Sequence, residues 1–514
     1  MVAPAITPLP AFAGMLTNIG TTNLTVAQLS LEEAIRQALE HNLDVQVSKY
    51  NPIISEYDRR ALYGYYDPTF NGTLSRANIN REPGGFNLTT GNAFPGTRSE
   101  TDTASAGLGG YLPTGMRYDV THSIHENTVV RPFQIGTNSF GQPVFGKTTT
   151  DTWDSQGLIS VRQPLLRNFW IDEPRLLIKL GRRNLRISEL TTERDIMLVV
   201  THVEQAYYDL IGARETVRVR EMDVAVKQQF FDENRRRVEV GTLAPLEEKL
   251  AQSELALAQT TLLTARGAEV DAEMTLKNLI YGDLLKYLNI RLDLMDKLIA
   301  LPARVSFQDA AREAVQKRPD LQAKRLNLEK LQIQLKYDFN QLFPQLDIFA
   351  TWGANGLDQH LGGALDDIAQ KRFQQDSYGI SLSFPLTMWK ERNHYKASQN
   401  AKAQAIVDLK RYEELVLGEV DFIVRLLYTQ WGTIPLTRER TAYQQAALEA
   451  EQKKLQFGKS TSFEVLKVAS DLTSARLNEI IAVKEYNKSL AELALREGTT
   501  MERHRLDMPQ RPNR

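Results

Sequence analysis

The chain has 514 residues, 62 Lys+Arg against 63 Asp+Glu, a formal net charge of −1 and no cysteine. Near-neutral charge removes bulk electrostatic attraction to nucleic acid or acidic lipid, and the missing thiols remove disulfides, thiolate metal sites and cysteine nucleophiles. Mean hydropathy is −0.36 and no apolar run reaches the roughly 18–20 residues of a spanning helix, which leaves a membrane β-barrel as the one membrane-spanning architecture open.

In chain order, residues 1–28 read as a Pro-broken flexible arm in which Ala11-Phe12-Ala13 resembles an export-signal cleavage site without the basic start such signals carry. A helical lead-in follows over 31–66, opened by Ser30 as N-cap with Glu33 at the third position. Residues 69–165 show patches of period-two patterning. Long helical tracts span 170–285, turning at Gly241. The same order then returns: lead-in 307–343 with Ser306 as cap and Asp309 at the third position, period-two patterning over 345–386, and helical tracts over 390–496 turning at Gly458. Residues 499–514 read as a disordered tail.

The return is a tandem duplication. At a shift of 276, Leu31–Ala38 aligns without gaps on Phe307–Ala314, and Asp44, Gln46, Asn51 and Pro68 meet Asp320, Gln322, Asn327 and Pro344. At a shift of 221, Pro164-Leu165 meets Pro385-Leu386 and Tyr207 meets Tyr428; Gly241 and Gly458 follow at 217. The repeats are 29–300 and 301–498. Alternation puts Leu346, Ile348, Ala350 and Trp352 on one strand face, and Ile380, Leu382, Phe384 and Leu386 on another; this suits a soluble sandwich or a lipid-facing barrel with a wet lumen. Helical tracts of roughly 65 residues would reach about 100 Å, the scale of a coiled coil or extended bundle. Pro435 is expected to kink its helix, and Tyr207 and Tyr428 to pack in the core. Trp153, Trp352 and Trp389 suit either an interfacial girdle or ordinary packing. His122 and His125 fall on opposite strand faces, a poor metal pair. No catalytic or phosphate-binding motif is present, so neither an enzyme nor a cofactor is expected.

Two strands per copy leave open edges, and two copies give too few strands for a barrel, so symmetric association is expected to close the ring. The paired lead-ins, the strand ends Gln163–Arg167 and Phe384–Leu386, the segment Glu204–Leu210 and the turns Gly241–Pro245 and Gly458–Ser462, in duplicated order, resemble the TolC-type outer membrane efflux proteins. The resemblance runs from about Leu29 to Leu495. It implies a mixed α and β membrane protein: four strands per subunit or more in an outer-membrane barrel, continued across the periplasm by a long antiparallel α-helical coiled-coil barrel. It also implies a homotrimer with twelve barrel strands, a periplasmic adaptor (membrane fusion protein) and an inner-membrane transporter as partners, contact with outer membrane lipid, and no nucleic acid.

The family places acidic side chains six and nine residues after the second turn glycine, which here are Glu464 and Lys467; Glu247 is the sixth residue after Gly241. The resemblance thus implies a pore aperture at Glu464, with Glu247 and Lys467 beside it. Adaptor contact falls at the hairpin tips, Gly241, Thr242, Gly458, Lys459 and Ser460. An arginine latch two positions after the second glycine is replaced by Ser460. Lys467 is placed to neutralise Glu464 along the helix face, and all three charges also fit simple solvated positions. The first barrel segment holds 97 residues from Thr69 to Leu165 against 42 from Gln345 to Leu386. The surplus around 104–127 is a hairpin turned at Pro113-Thr114-Gly115, either an external elaboration or additional barrel strands. The competing class is a periplasmic coiled-coil scaffold or interaction protein without a pore.

Overall fold

A computed structural model describes residues 25–81, 96–141, 143–283, 287 and 289–506. The Ala11-Phe12-Ala13 triplet, the glycine pair at 84–85 and the tail beyond 506 lie outside the described residues. In chain order the elements are β1 (Thr25–Leu29), α1 (Leu31–His41), α2 (Leu43–Ala61), a 3-10 turn (Leu62–Tyr66), β2 (Thr69–Arg81), β3 (Thr97–Tyr111), β4 (Arg117–Thr137) and β5 (Pro143–Pro164). Next come α3 (Glu173–Glu239), α4 (Pro245–Ile280), β6 (Ile290–Leu294), α5 (Phe307–Lys317), α6 (Pro319–Asn340) and β7 (Gln345–Asp358). The chain ends with α7 (Leu361–Ala369), β8 (Phe373–Ser383), α8 (Trp389–Gln456), α9 (Ser462–Glu497) and α10 (Thr500–Arg503). None of the described helices is long and apolar enough to cross a membrane.

The chain divides into two compact units. One comprises residues 1–53, 186–325 and 408–514 and is mainly helical. Its α1 starts where Ser30 Oγ accepts from the Glu33 amide at 3.3 Å. Ala34, Ile35 and Ala38 form the buried stripe. Ser306 occupies the same position at α5 but makes no side-chain cap bond, so the two copies open differently. β1 and β6 form a two-stranded parallel sheet, placing Leu29 and Leu292 in one core with Ile196, Val203, Tyr207 and Leu276. A second core joins Ala310 and Ala314 to Val416, Val420 and Ile423 of α8 and to Val483 and Tyr486 of α9. Helices of 67 and 68 residues (α3 and α8) hold by such packing more than by propensity. Pro435 lies inside α8 without ending it. The tail expected to be disordered begins instead with α10, whose Met501 is buried.

Tyr207 packs in the core as expected, fully buried, but Tyr428 does not: it is 60% exposed. The reason lies in the neighbours. Tyr207 is covered by the β1–β6 sheet and α1, whereas residues 295–306, which lead into α5 and carry the Val305 carbonyl that Tyr428 reaches, form no strand.

The other unit, residues 54–185 and 326–407, contains one six-stranded antiparallel sheet in the order β2-β3-β4-β5-β7-β8. The expectation of four strands per subunit or more resolves to six in this sheet. The surplus segment is not an external elaboration: Thr97–Tyr111 and Arg117–Thr137 pair along their length, joined at Pro113-Thr114-Gly115. Gly115 takes φ +84° there, a conformation costly for any residue with a Cβ. β8 ends at Ser383, so Phe384 and Leu386 lie beyond the strand. α7 crosses one face of β7. It can do so because Gly356 has no side chain; a Cβ there would sit 1.9 Å from the Ala364 carbonyl oxygen.

Candidate functional site: a two-faced wall and two helical hairpin tips

Residues paired directly across an antiparallel sheet share a face. The pairing runs Phe70, Leu108, Val120, Ile159, Trp352 in one row. The same face carries Leu74, Ile124, Val161, Ile348, Tyr378, Ile380 and Leu382. Phe70, Leu74, Tyr378, Ile380 and Leu382 are between 60% and 86% exposed, so a broad apolar surface stands uncovered in a single chain. Further up, the face turns charged, with Arg76 donating from Nε to Asp102 Oδ1 at 2.6 Å and Glu126 beside them.

The opposite face is polar and its side chains bond across the strands. Thr101 Oγ1 donates to Asn127 Oδ1 at 2.9 Å, Thr103 Oγ1 bonds His125 Nδ1 at 3.0 Å, and Ser160 and Thr351 hydroxyls meet at 3.2 Å. Gln156 Nε2 and Asn355 Nδ2 both donate to Gln375 Oε1, at 3.2 and 3.1 Å. An apolar face opposite a hydroxyl and amide face is the pattern of a barrel wall between lipid and water. His122 and His125 fall on these opposite faces. Among the described residues no cluster of His, Asp and Glu could hold a metal ion. Trp352 stands on the apolar face with Lys371 Nζ 5.1 Å from its ring centroid.

The hairpin tips are built alike. Gly241 and Gly458 take φ +78° and +71°. Each ends its helix with paired bonds: Gly241 N to Val238 O at 2.9 Å and Thr242 N to Arg237 O at 2.9 Å, then Gly458 N to Leu455 O at 3.0 Å and Lys459 N to Lys454 O at 2.8 Å. This is the glycine-terminated closure that satisfies the last helix carbonyls. Thr242 adds a bond from Oγ1 to Arg237 O at 2.9 Å. After the first turn, Pro245 starts α4 with Glu247 in its first turn. After the second, Thr461 caps α9 through the Glu464 amide at 3.3 Å. The carboxylates of Glu247 and Glu464 therefore sit at positive helix N-termini, a favourable place for them.

Glu464 and Lys467 are both exposed, one turn apart on α9 and without an ion pair between them. Ser460 is hydrogen-bonded by its Oγ to Glu451. Lys454 is 2.8 Å from the same carboxylate, and these two partners hold the Glu451 pKa below its ordinary value.

Sequence reading missed a buried polar seam behind the tips. Ser462 Oγ donates to Asn234 Oδ1 at 2.9 Å, and Thr473 Oγ1 to Asp223 Oδ1 at 3.1 Å. Lys227 Nζ lies 3.6 Å from Asp223 and 3.2 Å from Glu254. These groups join α3 to α9, and Val465, Leu466, Ala469 and Leu472 pack beside them on Phe230 and Leu448. The available signal was Asn234, Lys227 and Asp223 recurring at helical spacing within one tract.

A profile of the family described as outer membrane efflux protein matches residues 159–280 and 310–499, more than half of the chain. The chain belongs to that family. It is an efflux channel protein of the cell outer membrane, reaching into the periplasm, and not an enzyme. Solved structures agree in fold. The CmeC outer membrane channel of Campylobacter jejuni is 14% identical, with a TM-score of 0.64 over 93% of this chain and 90% of that one. VceC of Vibrio cholerae is 14% identical, with 0.62 over 91% and 96%. The open-state MtrE channel of Neisseria gonorrhoeae is 14% identical, with 0.61 over 92% and 89%. The comparison with curated proteins found no match.

Proposed function

We propose that this protein is the exit duct of a tripartite efflux or type I secretion system. Three copies assemble into one pore and conduct substrates passively across the outer membrane. An inner-membrane transporter supplies the energy and a periplasmic adaptor makes the link. The observation that carries this reading is the six-stranded sheet with one apolar face, one polar face and two unpaired edges. A lone chain would leave both edges and the apolar face exposed, and association in lipid satisfies all three at once.

In this reading the helical hairpin tips form the periplasmic aperture. Glu464 and Glu247 supply carboxylates that converge about the symmetry axis and favour cations. Lys467 lies within the same rim and tempers that field. Gly241, Thr242, Gly458, Lys459 and Ser460 present the surface that adaptor hairpins meet.

The test is purification in detergent, a native mass by light scattering, and planar-bilayer recording. A trimeric particle with discrete conductance steps is expected. A monomer that stays in solution without detergent and never raises conductance would overturn the duct and leave the coiled-coil scaffold.

A further inference from the structure

The lower ends of the six strands step steadily across the sheet. Taking the row that pairs Thr69, Gly109, Asp119, Ser160, Thr351 and Ser377 as level, β2 ends on it. β3 and β4 run two residues below it, β5 four, and β7 and β8 six. That is a stagger of six residues over the five junctions inside one chain, and a sixth junction with level ends keeps it at six residues per six strands. One residue per strand is the ratio that tilts barrel strands by about 36°, inside the range of membrane barrels.

The two edges also suit one another. β2 runs up from this rim and β8 runs down to it, so β8 of one copy beside β2 of the next is antiparallel, like every other junction in the sheet. A level junction, like those of β3 with β4 and of β7 with β8, sets Ser383 opposite Thr69. The whole of β8 then pairs with residues 69–79. Because the step is even, faces are preserved: Tyr378 meets Leu74 on the apolar face, and Ser377 meets Ser75 on the polar one. Asp376, which has no ion-pair partner among the described residues, arrives opposite Arg76. Shifts two residues either way would set Asp376 against Leu74 or Asn78.

We infer that β8 of each copy joins β2 of the next in this register, so that three copies close an eighteen-stranded barrel with a shear of eighteen. This rests on the trimeric duct proposed above. Barrel diameter grows roughly linearly with strand number, so the ring is about one and a half times as wide as one of twelve strands. On β2, β3, β4 and β8 the first charged strand side chains on the lipid face then share a rim, Arg76 and Asp376 seven residues above the strand ends, Asp102 and Glu126 nine. On β5 and β7 the apolar stretch runs further, to Asp151 and Asp358 thirteen above. Eight residues at about 3.3 Å, tilted by about 36°, give about 21 Å of height. Phe384 and Leu386 below the rim extend this toward the roughly 25 Å apolar band of outer-membrane barrels.

The native chain has no cysteine, so oxidative cross-linking reads the junction directly. Ser75→Cys/Ser377→Cys, two near-isosteric changes, should yield covalent dimers and trimers on a denaturing gel. Ser75→Cys/Gln375→Cys, offset by two residues, should stay monomeric there. Dominant linking in the offset pair, or an intrachain link, would overturn the register. Hydrogen exchange on the unsubstituted trimer gives a second reading: amides of β2 and β8 should be as protected as those of β4. A native trimer with fast-exchanging edges and no cross-link would overturn the junction and leave the duct intact. A monomer silent in bilayers would overturn both.

Discussion

The Tyr428 hydroxyl donates to the Val305 carbonyl at 2.5 Å, as the Tyr207 hydroxyl donates to the Leu29 carbonyl at 3.0 Å. Both pairs sit at the shifts that relate the two repeats, so one bond between a long helix and the entry to a lead-in survives in both copies. Their surroundings differ. Tyr207 also donates to Asp296 Oδ2 at 2.7 Å, and burial together with that carboxylate pushes its pKa above the usual tyrosine range. Tyr207→Phe should therefore cost about 1–3 kcal/mol, since it strips a buried carbonyl of its donor. Tyr428→Phe, at an exposed site, should stay within about 0.5 kcal/mol. Unfolding rates in detergent would rank the two, and equal effects would refute the asymmetry.

Acid should act on the unit through Asp320. Burial pushes this carboxyl up, but the Arg318 guanidinium, 2.6 Å away, and the Tyr412 hydroxyl, 2.9 Å away, outweigh it and hold the pKa below the ordinary aspartate value. A carboxylate held low in the folded state stabilises it above the unfolded pKa, and that stability is lost as pH falls through the folded pKa. Asp320→Asn should cost about 2 kcal/mol at pH 7, with the difference from wild type shrinking below about pH 4. Urea titrations at pH 7 and pH 3 would check this; a gap that does not narrow in acid would refute it.

The seam behind the tips predicts a strong single effect and a rescue. Lys227 is 4% exposed and Asp223 6%. Lys227→Met leaves Asp223 buried without its cation and should cost about 3–5 kcal/mol, whereas Lys227→Met/Asp223→Leu should recover most of the loss. Chemical denaturation of the three proteins measures it. A double variant no better than the single one would show that the seam is not a paired unit.

At the proposed aperture, Glu464→Gln should lower cation preference in single-channel recordings without changing assembly, because the side chain is exposed and its amide cap to Thr461 remains. Glu247→Gln should act in the same direction. Reversal potentials under a salt gradient report the change, and unaltered selectivity in the double variant would remove these carboxylates from the pore.

Much of the fold was legible because it was local. Alternation marked Leu346–Trp352 and Ile380–Leu382, glycine marked both turns, and duplication tied the copies together. The strand count was legible only as four or more, with the surplus hairpin left between external elaboration and barrel strands. Thr97–Tyr111 carries mostly Thr, Ser, Ala and Gly, so its two faces differ too little in hydropathy to announce a strand; they separate only when Thr101 and Thr103 find Asn127 and His125. Tyr428 was misread for a related reason. Its sequence position matches Tyr207, but burial depends on a β1–β6 pairing between residues some 265 apart, which no local pattern encodes. The seam at Asp223, Lys227 and Asn234 was passed over because charges on a helix ordinarily face water.

The hydroxyl and amide face has a consequence for traffic. Thr101 with Asn127, Thr103 with His125, Ser160 with Thr351 and Gln156 with Gln375 already hold one another. In the proposed duct a passing solute would meet donors and acceptors already engaged with one another, so a grip it gains competes with one the wall already has. A duct lined in this way would have little friction and little memory for shape, and would leave discrimination among cargoes to the proposed transporter.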